Sequence, residues 1–342
     1  MKNYLLGKTL TELTEVAKLI GAPAFVVKQL ADWIYKKRIT DIHKMTNLSL
    51  KVREALAANY ESGTSLSCDV QSSADGTKKY LFKTSSGNFI EAVYIPDDDR
   101  ATLCVSSQAG CRMGCRFCMT ARQGFQENLS VSEILNQIYS IPESDKLTNI
   151  VYMGMGEPMD SIDEVLKSLD IITADYGLAW SPKRVTVSTI GVLPAMKRFL
   201  DESKCHLAVS LHNPFDDERQ QLMPMQKPYP IEEVIKLIKE YNFTGQRRVS
   251  FEYIMFAGVN DTDRHANALV RLLKGLECRV NLIRFHPIPE SDLRSSDEKT
   301  IEHFKNLLNS KGVLTTVRAS RGLDILAACG MLSTKEKNRE AK

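Results

Sequence analysis

The chain has 342 residues, 43% apolar and 25% charged, a balance suited to a soluble globular protein with one large domain and a smaller companion, or with two domains. A net charge of +3 is too small by itself to mark a nucleic-acid binder, and no apolar run approaches the ~20 residues of a membrane span. The start, Met1 to Lys8, lacks the apolar core of a signal peptide. The eight cysteines therefore read as intracellular thiols rather than a disulfide framework, and the expected location is the cytoplasm.

Residues 1–62 read as a small helical domain. Leu10, Leu13, Val16, Ala17 and Ile20 recur at helical spacing until Gly21 and Pro23 interrupt them. A second helix is expected over 25–37, with Val26, Leu30, Trp33 and Ile34 along its turns. Asn47 or Ser49 is placed to cap a third helix ending near Tyr60. Between Lys28 and Arg53, seven basic residues (Lys28, Lys36, Lys37, Arg38, Lys44, Lys51, Arg53) face two acidic ones, Asp32 and Asp41. The excess suits either an RNA grip or a solvated face, and periodicity does not separate the two.

Over 63–100 the period changes to two. Strands at 79–83 and 88–95, joined by Ser85-Ser86-Gly87, predict a β-hairpin extension; Glu91 is the only acidic residue inside its second strand. Pro96 and Asp97 to Asp99 end it. From 101 to 332 the chain alternates strands (102–107, 150–153, 184–189, 206–211, 249–254, 279–282) with helices (131–140, 162–174, 193–201, 231–241, 262–276). A helix at 300–309 and a strand at 314–318 follow. This α/β order implies a parallel sheet with right-handed crossovers, and six units fall short of a closed eight-fold barrel. A partial, TIM-like (β/α)6 barrel is the expected core. The charged end, 333–342, reads as a frayed tail.

After the first barrel strand comes Cys-Arg-Met-Gly-Cys-Arg-Phe-Cys at 111–118. Thiolates normally hold all four irons of a [4Fe–4S] cluster. Three thiolates, Cys111, Cys115 and Cys118, leave one iron open to a small molecule. Structural zinc would need a fourth ligand, usually from a second cysteine pair, and none follows; three unrelated thiols are the other plain alternative.

Function in such sheets gathers at the carboxyl ends of the strands. There the sequence places Gly154-Met-Gly-Glu-Pro158, Ser188-Thr-Ile-Gly191, Ser210-Leu-His-Asn-Pro214, Asn281 and His286-Pro287. The glycines suit close backbone approach to a ligand, and Glu157 offers a carboxylate to a cationic or hydroxyl-bearing group. Cys104 lies inside the first barrel strand, and Cys329 lies in the tight turn Ala327-Ala-Cys-Gly330. Taken alone these two read as buried thiols, as do Cys68, Cys205 and Cys278.

Ala101-Thr-Leu-Cys-Val-Ser-Ser-Gln108, the cysteine loop, Met153-Gly-Met-Gly-Glu-Pro158, Ser210-Leu-His212 and Asp324-Ile-Leu-Ala-Ala-Cys-Gly330 together resemble the RlmN family of radical S-adenosylmethionine (SAM) enzymes. The resemblance spans nearly the whole chain. It implies a radical SAM core and methylation of adenine C2 in 23S rRNA and in tRNA. It also implies a [4Fe–4S] cluster on Cys111, Cys115 and Cys118, and two SAM molecules per turnover. Cys329 is then the methyl carrier, Cys104 the thiol that releases product by forming a disulfide with Cys329, and Glu91 the proton acceptor. SAM contacts carried over are Gly156, Glu157, Ser188, Ser210, Leu211, His212 and His286, the last standing where the family more often has asparagine. Implied partners are 23S rRNA, tRNA and an electron donor such as a flavodoxin or ferredoxin, with no membrane partner and a monomeric state. The related Cfr family methylates C8 of the same ribosomal adenine, and Glu157-Pro158 favours RlmN over it. A radical SAM activase and a non-catalytic iron–sulfur or zinc RNA-binding protein are the readings from other classes.

Overall fold

The computed structural model describes residues 3–334 except Thr244 and Gln246, so the tail expected at 333–342 falls outside the described residues from 335 onward. Helix α1 (Leu10–Leu19) opens on a capping box: Thr9 Oγ1 accepts from the Glu12 N–H at 3.3 Å, and Glu12 accepts from the Thr9 N–H at 2.8 Å. Helix α2 (Val26–Ala31) runs on into a π-helical turn over Asp32–Lys36, giving one rod across the expected 25–37. Ser49, not Asn47, caps α3 (Leu50–Asn59). Asn47 instead accepts from the Trp33 indole N–H, and the Lys37 ammonium sits 3.9 Å from the centre of that ring.

The hairpin extension has one strand more than expected. Strands β1 (Asp69–Ser72), β2 (Lys78–Lys83) and β3 (Phe89–Asp97) are antiparallel, and β3 pairs antiparallel with β4 (Arg100–Cys104), the first barrel strand. Asp97 faces Arg100 in that pairing, so Asp98 and Asp99 form a tight hairpin turn. The extension is continuous with the barrel sheet.

From β4 the sheet is parallel through β5 (Asn149–Tyr152), β6 (Val185–Thr189), β7 (His206–Ser210), β8 (Val249–Met255), β9 (Cys278–Arg284) and β10 (Leu314–Val317). Spatial order follows sequence order from β1 to β10, and no pairing joins the two ends among the described residues. The connections carry α4 (Met119–Gln123) and α5 (Val131–Tyr139), α6 (Ile162–Thr173), α7 (Leu193–Glu202), α8 (Asp216–Leu222) and α9 (Ile231–Lys239), α10 (Asp263–Leu272) and α11 (Glu298–Ser310). This is the open, six-unit α/β barrel expected, with β10 as a seventh parallel strand.

Parallel strands are usually apolar on both faces. Here register aligns a polar row, Ser210, Glu252, Asn281 and Thr316, across β7 to β10. The row marks the face turned to chemistry. No described helix is long and apolar enough to cross a membrane.

Candidate active site

The stretch after β4 is fixed by its neighbours. Ser106 Oγ donates to the Glu91 carbonyl at 2.6 Å and accepts from the Met155 N–H at 2.8 Å. Gln108 Oε1 accepts from the Glu157 N–H at 2.9 Å. A Cβ on Gly154 would lie 2.7 Å from the Val105 carbonyl oxygen, and one on Gly156 would lie 2.5 Å from Gln108 Cβ. These glycines are needed for close approach to the chain's own β4 end.

The three loop thiols interact electrostatically with one another. Cys111 and Cys115 are buried and Cys118 is half-buried. Burial pushes all three thiols up, Cys111 to about 12, and Cys118 and Cys111 raise Cys115 further. Bound iron would supply the opposite field and hold the three sulfurs as thiolates. Backbone N–H groups of Met113 at Cys111, and of Thr120 and Ala121 at Cys118, are aimed at the sulfurs. Phe117, Met113, Leu222, Met223, Phe256 and Phe285 wall the loop from water in an apolar cluster separate from the main core. Among the described residues, no three His, Cys, Asp or Glu side chains gather round a single metal ion. An iron–sulfur cube spaces its ligands more widely than one ion does. Three thiols, amides directed at sulfur and a dry wall fit such a cluster.

The strand ends converge beside this loop. Glu157 is buried, with one carboxylate oxygen accepting from the Ile190 N–H at 3.0 Å and the other from the Met159 N–H at 3.1 Å. Burial outweighs these donors and pushes its pKa up to about 7. Ser188 and Ser210 are half-buried at the ends of β6 and β7, and Leu211 is buried. His212 adopts a left-handed backbone (φ 56°) that aims its ring inward. Its Nδ1 accepts from the Ile254 N–H at 3.0 Å, and the ring stands edge-on to Phe117 at 4.8 Å. Burial drives its pKa down to about 3, so the imidazole is neutral with its proton on Nε2. His286, past β9, is half-buried with Nε2 2.9 Å from Ser320 Oγ.

A second constellation forms next to the first. Cys104 is buried at the end of β4, and its thiol is pushed up to about 12 by burial and by Cys329, against Arg318. Cys329 is exposed and interacts electrostatically with both Cys104 and Cys118. The Gly330 carbonyl accepts from the Met119 N–H at 2.8 Å, tying the Cys329 turn to the thiol loop. Glu91 is buried, 3.1 Å from Lys79 Nζ, and its Oε2 accepts from the Ser333 N–H at 3.0 Å. Burial raises its pKa against both partners. One site thus gathers Cys104, Cys111, Cys115, Cys118 and Cys329. A hollow lined by Thr9, Lys167, Asp170, Arg198 and Cys205 lies at the opposite end of the sheet, where β6 and β7 begin.

The sequence profile of the radical SAM superfamily matches residues 105–269, and that of the ribosomal RNA large subunit methyltransferase N-terminal domain matches residues 3–61. A probable dual-specificity RNA methyltransferase RlmN from Parabacteroides distasonis is 60% identical, the match covering 97% of each chain. The dual-specificity RNA methyltransferase RlmN of Syntrophus aciditrophicus is 40% identical over 96% of this chain and 95% of its own. The chain belongs to the RlmN family. A crystal structure of a radical SAM methyltransferase from Sphaerobacter thermophilus superposes with a TM-score of 0.90 at 39% identity, covering 96% of this chain and 98% of the other. Like that structure, this RlmN-family chain is a radical SAM methyltransferase with an α/β core.

Two supporting residues of this RlmN-family site, Arg219 and Glu252, escaped the sequence reading. Arg219 is fully buried; its guanidinium donates to the carbonyls of Leu211 (2.9 Å), Ser210 (2.9 Å) and Ile190 (3.0 Å) and to Gln226 Oε1 (2.5 Å). It straps the ends of β6 and β7 together. In sequence it follows Asp216-Asp-Glu218 and looks like a solvated helix face. Glu252, buried in β8, accepts from Asn281 at 2.8 Å and pairs with Arg318 at 3.2 Å. An acid inside a mostly apolar strand was the available signal. The buried-thiol reading is corrected at three positions: Cys68, which precedes the wholly exposed strand β1, and Cys329 are exposed, and Cys278 is half-buried.

Proposed function

We propose that this chain methylates C2 of adenine in 23S rRNA and in tRNA, with Cys329 as the methyl carrier and two SAM molecules consumed per turnover. One observation carries the reading: an exposed cysteine is held between the three-thiol loop and a second, buried cysteine. The names of the relatives support the substrate class. Adenine C2 is electron-poor and the SAM methyl is electrophilic, so polar displacement between them is disfavoured. A thiolate accepts that methyl readily. Cys111, Cys115 and Cys118 would hold a [4Fe–4S] cluster, which, with a flavodoxin- or ferredoxin-type donor, would supply one-electron reductive cleavage of SAM.

The chain's own residues bind, orient and resolve. Glu157, with the backbone at Gly156, receives the SAM amino group. Ser188, Ser210, Leu211 and His212 line the nucleoside, and His286 reaches the same rim from β9. Exposure lets Cys329 meet a base drawn out of its stack. Glu91, made more basic by burial, takes the proton lost from C2. The Cys104 sulfur then bonds to the Cys329 sulfur as the Cys329 sulfur–methylene bond breaks, its electron pair and a proton going to the methylene carbon to complete the methyl group and release the base.

Incubation with SAM, reductant and unmodified rRNA fragments, followed by nucleoside mass spectrometry, is expected to give 2-methyladenosine. Finding 8-methyladenosine or unmodified adenosine alone rejects the proposal. Cys104→Ala is expected to accumulate a covalent protein–RNA species joined through Cys329. Recovery of only free RNA and free protein contradicts the role of Cys104.

A further inference from the structure

Cys329 has no regular element beneath it. It lies in 322–334, where the one helical turn is the 3-10 turn Leu323–Ile325. Two sets of hydrogen bonds hold this strap, one on each side of the cysteine. Downstream, the Gly330 and Leu332 carbonyls accept from the Met119 N–H (2.8 Å) and Thr120 Oγ1 (2.7 Å). There too the Ser333 N–H donates to Glu91 (3.0 Å) and the Thr334 N–H to Gln123 Oε1 (2.8 Å).

Upstream, the strap meets the turn between β1 and β2. The Gly322 N–H donates to Asp75 Oδ2 at 2.9 Å. In return, Asp324 Oδ1 accepts from the Ser73 hydroxyl at 2.5 Å and Oδ2 from the Ala74 N–H at 3.2 Å. Asp75 Oδ1 also accepts from the Thr77 N–H at 2.9 Å, which stiffens the turn. The fit is close. Gly322 has φ 61°, and a Cβ there would lie 2.8 Å from both Ala327 Cβ and Thr77 Cγ2. Leu326 adopts a left-handed backbone (φ 53°), which a leucine keeps only where its surroundings hold it.

Strand β1 is otherwise hard to explain. All four of its residues are exposed, so it buries nothing. What it supplies is one side of a turn that grips the strap. We propose that Asp324 and Asp75 form a carboxylate latch that sets the position of Cys329, making both aspartates positioning residues for the methyl-carrier chemistry. The proposal rests on the reading of Cys329 as that carrier. The sulfur must meet a methyl donor, then a base, then the buried Cys104. With the latch intact both ends of the strap are fixed. Without it, the nearest upstream anchors are the Arg321–Asp97 ion pair at 2.9 Å and the Ser320–His286 contact, both outside the strap.

The test uses the full-length chain, purified anaerobically with its cluster. Diamide oxidises the pair: the Cys104 and Cys329 thiols lose two protons and two electrons, an S–S bond forms, and diamide takes both to become the hydrazine. Peptide mass mapping follows that one disulfide, and iodoacetamide alkylation follows Cys329 alone. Asp324→Ala is expected to slow the disulfide about tenfold while alkylation of the exposed thiol changes less than about twofold. Asp75→Ala is expected to act in the same direction, and Asp324→Asn, which keeps one acceptor, to recover part of the rate. An unchanged disulfide rate in Asp324→Ala and Asp75→Ala overturns the latch, as does slowing matched by an equal fall in alkylation. If Asp324→Ala does not fold, Ser73→Ala removes a single donor and carries the same comparison. The readout needs no RNA and no methyl transfer, so its failure is distinct from a failure of the methyltransferase reading.

Discussion

His212 is a titratable group held uncharged. Its pKa falls from 6.5 to about 3, first through burial and then through the Arg219 guanidinium. Between these values the unfolded chain carries a proton that the folded chain refuses. The stabilising contribution is therefore complete above pH 6.5 and is lost progressively as pH falls toward 3. The slope is about 1.4 kcal/mol per pH unit for one proton. His212→Gln keeps a polar side chain without the titration, so urea unfolding across this window is expected to show a shallower acid limb than wild type, by about one proton. Superimposable acid limbs would show that His212 is not shielded in this way. At the same scale, Cys104 and Cys329 divide by environment: one is buried with its thiol pushed up, the other exposed and able to reach a macromolecular substrate.

At the scale of elements, the rim is assembled by strand ends and stitched from behind by Arg219. Its guanidinium satisfies three carbonyls that end β6 and β7, together with Gln226. Arg219→Met fills similar space but leaves these acceptors unpaired, and is expected to destabilise the fold by at least about 3 kcal/mol, measured by denaturant unfolding. Arg219→Lys keeps the charge but not the fork, and is expected to recover only part. A change within about 0.5 kcal/mol for Arg219→Met would remove Arg219 from this role. The same scale explains what was legible in the sequence. The barrel strands and crossover helices were readable because buried parallel strands form apolar runs between helical periods. The cysteine loop was readable from spacing alone. Strand β1 was not, because an exposed strand carries no burial pattern. Nor was the join of β3 to β4, because Pro96 and the aspartates resemble a strand end while Asp98 and Asp99 make a turn. Arg219 was hidden because its partners are backbone carbonyls, which leave no trace in composition.

Across the whole molecule, the N-terminal helices are docked on the barrel. Lys167 on α6 pairs with Glu12 at 2.5 Å, Arg38 pairs with Asp145 at 2.7 Å, and the Tyr35 ring packs against Tyr139 and Tyr176. Docking consumes part of the basic excess. Arg38 also lies over the Tyr139 ring, and Arg53 Nη1 donates to the His43 carbonyl at 2.5 Å. Lys37 is engaged with Trp33 and Asp32. Lys36, Lys44 and Lys51 are exposed, as is Lys28. A solvated face and an RNA grip make different predictions for them. Phosphate contacts displace counterions, and on single-stranded nucleic acid each adds about 0.7 to the slope of log affinity against log salt. If these lysines grip RNA, the triple variant Lys36→Gln, Lys44→Gln, Lys51→Gln lowers that slope by up to about 2 and weakens binding alike across sequences. Methyl loading of Cys329 should not change, because the strap and the thiol loop lie on other elements. An unchanged salt slope assigns the three lysines to the solvated face and moves the RNA contact to the barrel rim itself.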